Sequence, residues 1–219
     1  MTRQDPPSEP VPSRATPADQ PTRVSRRGLF KGAGAAAVSA ALLGARETLA
    51  REAAVADEVR TQGPGVVPIT LRVNGAERKV QVEPRTTLLS ALRLRLDLTG
   101  AKPVCERSQC GACTVWLDGQ TVYACSVLAV EAEGREVTTV EGLGTPSDMH
   151  PVQAAFCAED ALQCGFCTPG MVMACAFAVK QHGKDLTDDQ ARAAVAGNLC
   201  RCGTHPHVLR AALRAAKGE

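Results

Sequence analysis

Eight of the ten cysteines of this chain fall into two spaced sets, and any fold it adopts must gather each set in one place. The first set is Cys105, Cys110 and Cys113 on one short stretch, with Cys125 further along. The second is Cys164 and Cys167, followed after a long gap by Cys200 and Cys202. Four thiolates drawn from two segments can converge from two sides on a metal cluster while backbone amides remain free to donate to sulfur. In the first set, Gly111 lets the backbone of one loop wrap closely, and Cys125 arrives from a separate segment to close the cage. In the second set, Cys164-Gly165-Phe166-Cys167 leads into a helix through Thr168-Pro169-Gly170, and Cys200-Arg201-Cys202 leads another. Helix N-termini favour anions, so the positive ends of two helices would face a thiolate-bound centre.

The spacing Cys-x4-Cys-x2-Cys with a distant fourth cysteine is that of plant-type [2Fe–2S] ferredoxins. Two one-electron carriers in one small chain point to a relay. Zinc is the competing metal, but the four-residue gap and the Cys200-Arg201-Cys202 element depart from the paired C-x2-C scheme of a zinc ribbon. A disulfide lattice is the other alternative. His205 and His207 flank the second set without interleaving with its cysteines, as a Rieske-type site would require, and read as surface or helix-start residues. The two remaining cysteines, Cys157 and Cys175, sit in helical pattern among Ala, Phe and Met. Both read as small buried hydrophobes, with a disulfide between them as the alternative. Trp116 and Tyr123 read as packing within a hairpin, and Met171 and Met173 as packing or partner-facing residues.

Residues 1–24 are rich in Pro, Ser, Thr and charge, a composition that buries no core. Residues 25–50 begin Ser25-Arg26-Arg27-Gly28-Leu29-Phe30-Lys31, continue through a mild apolar run and reach small residues near Ala50. That is the form of an export signal, and the arginine pair resembles a twin-arginine signal. The usual order places Phe before Leu; here it is Leu29-Phe30. The twin-arginine route carries folded proteins, so clusters inserted in the reducing cytoplasm would survive export. The expectation is a periplasmic protein with a cleaved signal, handled by the twin-arginine translocation machinery. A polar linker spans 51–66.

Between 67 and 145, Val66–Val82 alternates apolar and polar residues around Asn74-Gly75, the strongest short hairpin signal. Thr86 or Thr87 can cap a helix over Leu88–Leu98, with Gly100 fitting a left-handed position after it. Cys113–Leu117 and Gln120–Val127 read as a second hairpin around Asp118-Gly119 with Cys125 on its return strand, and Val137–Val140 supplies a last strand. From 146 to 219 the pattern is helical, over His150–Ala161, Gly170–Gln181, Asp188–Ala196 and Pro206–Lys217. The fold class is therefore α+β: an N-terminal β-grasp plant-type ferredoxin domain followed by a C-terminal four-helix [2Fe–2S]-binding domain. With aromatics at only 3% of residues, both cores must rest on Ala, Val and Leu, and metal staples matter more. The net charge of +2 offers no basic footprint for nucleic acid.

The chain resembles the small iron–sulfur subunit of the molybdenum hydroxylases, the xanthine dehydrogenase and aldehyde oxidase family. The resemblance rests on Leu98-Thr99-Gly100-Ala101-Lys102, Gln109-Cys110-Gly111-Ala112-Cys113-Thr114-Val115, Glu141-Gly142-Leu143 and His150-Pro151-Val152-Gln153-Ala154-Ala155-Phe156. It rests further on Gln163-Cys164-Gly165-Phe166-Cys167-Thr168-Pro169-Gly170 and Gly197-Asn198-Leu199-Cys200-Arg201-Cys202-Gly203. With the export signal, the likeness is to periplasmic aldehyde oxidoreductase small subunits. Many relatives have Gly before the first cluster cysteine; here it is Val104. The resemblance implies a large partner subunit with a molybdenum–pterin cofactor that hydroxylates an aldehyde or heterocycle. It implies electrons passing singly through this chain to an FAD subunit or a cytochrome c carrying haem c. It implies that the helical-domain cluster lies nearest the pterin, and that Gln163 and Cys202 contact the pterin, Cys202 being ligand and conduit at once. No G-x-G-x-x-G or P-loop occurs, so flavin and nucleotide sites belong elsewhere. The chain has no catalytic residues of its own. A free-standing two-cluster ferredoxin is the competing reading, and the helical half argues against it because a bare carrier needs only the β-grasp.

Overall fold

A computed structural model describes residues 62–218; the readings placed on 1–24, on the signal at 25–50 and on most of the linker lie outside the described residues. Strand β1 (Val67–Val73) sends Ile69, Leu71 and Val73 inward, and β2 (Ala76–Val82) answers with Val80 and Val82. Between them Asn74 and Gly75 take left-handed φ values of 52° and 78°, the turn geometry that matches strand twist in a two-residue hairpin. The Asn74 side chain also pins a distant segment. Its Nδ2 donates to Thr139 Oγ1 at 3.0 Å and its Oδ1 accepts from Thr139 N at 2.9 Å.

Helix α1 (Leu88–Arg95) starts at Thr87, whose hydroxyl accepts from Ser90 N at 3.2 Å, and buries Leu88, Leu89, Ala91 and Leu92. It ends earlier than the sequence pattern suggests. Asp97, not Gly100, takes the left-handed position with φ 56°, and Leu98 N turns back to Leu92 O at 2.9 Å. Gly100 is required for a different reason: a Cβ there would strike the Val140 and Glu141 side chains.

The second hairpin, β3 (Thr114–Leu117) and β4 (Gln120–Tyr123), turns at Asp118-Gly119 with φ 50° and 74°. Strand β4 stops at Tyr123, so Cys125 lies in a turn and not on the return strand. The start of α1 claims the chain there: Leu88 N donates to Val127 O at 2.7 Å and Leu89 N to Ala124 O at 3.0 Å. Strand β5 (Glu136–Thr138) is shorter than expected, because Thr139 bonds to Asn74 and a 3-10 turn (Val140–Gly142) follows. The sheet order is β2-β1-β5-β3-β4, with β5 parallel to β1 and antiparallel to β3.

Four helices follow among the described residues: α2 (Pro151–Ala158), α3 (Thr168–His182), α4 (Asp188–Val195) and α5 (His205–Lys217). Helix α4 is capped by Thr187 and Gln190, which satisfy each other's backbone amides. Helix α3 is apolar on most of its circumference and buries Met171, Met173, Ala174 and Ala176. Glu159, past the end of α2, binds Arg210 at 3.2 Å and Arg214 at 3.1 Å on α5.

Two cores result, one between sheet and α1, the other among the helices. Trp116 belongs to the second although it sits on β3. Its Nε1 donates to Met173 O at 3.0 Å, Phe177 meets it edge-on at 6.3 Å, and the Lys180 ammonium lies 5.1 Å from its ring. Tyr123 likewise crosses over, donating its hydroxyl to Gly197 O at 3.3 Å. Trp116 therefore joins the two halves rather than packing within the hairpin, while Tyr123 packs against the sheet core as expected and reaches the other half with its hydroxyl alone. Cys157 also departs from expectation: it is exposed, while Cys175 is buried, and both are free thiols.

Candidate iron–sulfur sites

The loop 102–113 gathers the first three cysteines by bending sharply. Glu106, Ser108 and Gly111 all take left-handed φ values, 50°, 59° and 68°. Two of these residues carry side chains, and such positions cost about 1–3 kcal/mol each, so the surroundings must enforce them. Successive amides are thereby turned toward sulfur, the arrangement of an anion-binding nest. Gln109 N donates to Cys105 Sγ and Ser108 N to Cys125 Sγ, both at 3.4 Å. The Cys125 turn is fastened in place because Ala124 N donates to Cys113 O at 3.2 Å, alongside its two bonds to α1.

The thiols approach each other in pairs. Cys105 lies within hydrogen-bond reach of Cys110, and Cys113 of Cys125. In the second set, Cys164 meets Cys202 and Cys167 meets Cys200. Among the described residues no group of three or more His, Cys, Asp or Glu side chains converges as a single ion demands. Four-coordinate zinc needs all its ligands within about 2.0–2.3 Å of one point, which paired thiols do not offer. Two thiols for each of two irons is the requirement of a [2Fe–2S] rhomb, and these donor sets fit it.

Electrostatics differ across each set. The amides of Arg107 and Gln109 hold the Cys105 thiol down at about 6, whereas burial pushes Cys113 up to about 12. The amide of Phe166, made available by Gly165 at φ 80°, lowers Cys164. Cys202 is raised: the amide of Cys164 pulls it down, but the hydrogen bond and charge of the Cys164 thiol outweigh that pull. Burial lifts Cys167 to about 12. At Cys200, burial is opposed and overcome by the Thr204 hydroxyl and amide, leaving the thiol at about 7; the hydroxyl lies 3.1 Å from the sulfur. Since all eight would be thiolates as ligands, loading must release protons.

The helix-end expectation holds. Cys167 is the residue before α3, and Cys200 and Cys202 lead into Thr204 at the start of α5. The two sets are neighbours. Cys110 of the first and Cys164, Cys167 and Cys200 of the second border one cleft of about 260 Å³, rimmed by exposed Val104, Phe166 and Leu199. A backbone bond joins them directly, Leu199 N to Cys110 O at 2.9 Å. Gln163 is exposed beside exposed Cys164, whose partner is Cys202, so the two residues expected at the pterin lie near each other on an open face. Next to that face an apolar cleft of about 520 Å³ is lined by Met149, Phe156, Cys157, Leu162, Gly165 and Thr168. Sequence reasoning did not single out this cleft, because its residues come from three segments with no common pattern.

Residues 71–142 match the family described as 2Fe-2S iron-sulfur cluster binding domain, and residues 139–213 match the [2Fe-2S] binding domain family. The chain is 41% identical over 210 residues to the aldehyde oxidoreductase iron-sulfur-binding subunit PaoA of Escherichia coli O157:H7, covering 90% of this chain and 89% of that one. The chain belongs to the iron–sulfur small subunits of the molybdenum hydroxylases. It is also 42% identical over 149 residues to the nicotine 6-hydroxylase small subunit of Paenarthrobacter nicotinovorans, covering 68% of this chain and 89% of the relative. Among solved structures this small subunit superposes on a chain of quinoline 2-oxidoreductase from Pseudomonas putida 86. That match has a TM-score of 0.63 at 38% identity, over 71% of this chain and 98% of that one. The aldehyde oxidoreductase of Desulfovibrio gigas gives a TM-score of 0.65 at 36% identity, where the matched 68% of this small subunit corresponds to 17% of a longer chain. The β-grasp and helical halves expected from the cysteine spacing are thus the two domains of this family.

Proposed function

We propose that this small subunit holds two [2Fe–2S] centres, one on Cys105, Cys110, Cys113 and Cys125, the other on Cys164, Cys167, Cys200 and Cys202. It relays electrons from a molybdenum–pterin centre in a large partner subunit to an FAD subunit or a cytochrome c. The observation that carries this reading is the pairwise approach of eight thiols in two sets, with Cys110 of one set and Cys164, Cys167 and Cys200 of the other bordering one cleft. When bound, each centre takes up and gives back a single electron.

The chain's own residues supply position and electrostatics. Amides of Ser108, Gln109 and Phe166 stabilise thiolate charge, and the buried wall at Cys113 excludes water. Gln163 and Cys202 contact the pterin from the open face, and the neighbouring apolar cleft lies under the large subunit. An aldehyde or heterocycle is the substrate class, selected by that subunit rather than by this one.

The protein works in the periplasm after twin-arginine export with cleavage near Ala50. The Arg26-Arg27 signal supports this reading. Purification from periplasmic extract tests the proposal: a molybdenum-containing large subunit should accompany the chain, and dithionite reduction should give two distinct [2Fe–2S] paramagnetic signals. Iron and labile sulfide near zero, or a chain that purifies alone, would overturn it. Arg26→Lys with Arg27→Lys should hold the complex in the cytoplasm; normal export would refute the targeting assignment alone.

A further inference from the structure

The two cysteine loops are clamped on each other, and one buried side chain sits at the centre of the clamp. Asn198 is 3% exposed, two residues before Cys200. Its Nδ2 donates to Gly111 O at 2.9 Å and to Thr114 Oγ1 at 3.3 Å. Gly111 lies between Cys110 and Cys113 of the other set. Its carbonyl also accepts from the Thr114 hydroxyl at 2.6 Å and from Thr114 N at 3.1 Å. The next residue on the second loop, Leu199, donates its amide to Cys110 O. Consecutive carbonyls of the first loop are therefore held by consecutive residues of the second.

Glycines make the fit possible. A Cβ at Gly111 would come within 2.6 Å of Asn198 Nδ2, and one at Gly170, at the start of α3 just past Cys167, would strike Gly111 O. A Cβ on Gly197 would strike the Tyr123 hydroxyl. Three backbone approaches thus exclude even a methyl group, and the position they leave is filled by one carboxamide. A buried amide with both its N–H groups engaged on the other half specifies a single register between the loops, whereas an apolar residue would permit several.

We propose that Asn198 is the positioning residue that registers the Cys110–Cys113 loop against the Cys200 loop, fixing the separation of the two sulfur cages and the Leu199–Cys110 contact between them. The proposal rests on the assignment of both sets to clusters. It adds that electron exchange between the two centres, one electron leaving one as it enters the other, depends on a residue that ligates neither.

The test uses the purified complex carrying Asn198→Ala, with Thr114→Val as a milder variant that keeps the Asn198–Gly111 bond and removes the Thr114 hydroxyl from both partners. After a sub-stoichiometric radiolytic pulse, internal electron redistribution should be about 10- to 100-fold slower in Asn198→Ala, the range for losing a partner one step beyond a metal ligand. The spin–spin splitting between the two reduced centres should change, while iron per chain stays at the wild-type value. Thr114→Val should shift both readouts the same way by less. Wild-type exchange and splitting in an Asn198→Ala complex that carries both centres overturn the proposal. If Asn198→Ala does not assemble, wild-type exchange in Thr114→Val overturns it equally. Absence of both signals from the wild-type complex is a separate failure, that of the cluster assignment.

Discussion

Replacing Trp116 by alanine removes the side chain that most fully joins the sheet to the helices. The indole is 8% exposed, donates to Met173 O, meets Phe177 edge-on and lies beneath the Lys180 ammonium, all three on α3. A buried Trp→Ala change costs about 3–5 kcal/mol through lost transfer energy and the cavity left behind. Part of this is the loss of the Trp116 Nε1–Met173 O bond, for which about 0.5–1.5 kcal/mol is typical, since the carbonyl keeps its place in the α3 ladder. With a urea m-value of about 2 kcal/mol/M for a protein of this size, the midpoint should fall by about 1.5–2.5 M. Urea unfolding followed by circular dichroism reads this directly, and Trp116→Phe, which keeps the ring contacts and drops the donor, should fall between wild type and alanine. A midpoint lowered by less than about 0.5 M would mean under about 1 kcal/mol, and would refute the idea that this indole ties the halves together.

Three further outcomes follow from the geometry. His150 caps α2 by accepting from Val152 N on Nδ1 at 3.2 Å, and burial lowers its pKa. A depressed folded value means the cap's contribution is present above the ordinary histidine value and lost as pH falls through the lowered one. Thermal melts from neutral to acid pH should therefore show a loss that His150→Asn, a cap with no such titration, lacks; equal profiles would refute the role. Gly170→Ala introduces a methyl group onto Gly111 O and should weaken the first cluster's signal from a position in the second half, at a cost of about 1–3 kcal/mol from overpacking. An unchanged spectrum would show that the two loops move independently. Maleimide should label exposed Cys157 in the folded chain freed of its large partner but not Cys175, which is 1% exposed with its thiol pushed up to about 12, and peptide mass mapping distinguishes them.

Local pattern reached a long way in this chain. Asn74-Gly75 and Asp118-Gly119 announced both hairpins because φ > 0 at two successive residues is a property of the dipeptide itself. Thr187 and Pro151 stand at helix starts for equally local reasons. Which cysteines gather in each half was readable because thiol spacing along a short loop limits which sulfurs can meet. Where the reading missed, a distant partner had intervened. Strand β4 ended early because α1 takes the carbonyls of Ala124 and Val127, and β5 ended early because Asn74 takes Thr139. Trp116 looked like a hairpin residue because the pattern records which face of a strand is apolar, not which core lies against it.

The amino-acid order alone pointed to iron–sulfur chemistry, the two halves and most of their elements, since turn, cap and cysteine-spacing signals are carried by the chain itself. How the two cysteine loops meet depended on the folded molecule. That contact joins Gly111 to Asn198 and Cys110 to Leu199 across more than eighty positions, through close backbone approaches that exist only when both cores have formed. Backbone carbonyls and absent methyl groups leave no periodic trace in a sequence, so the register of the relay emerges only in three dimensions.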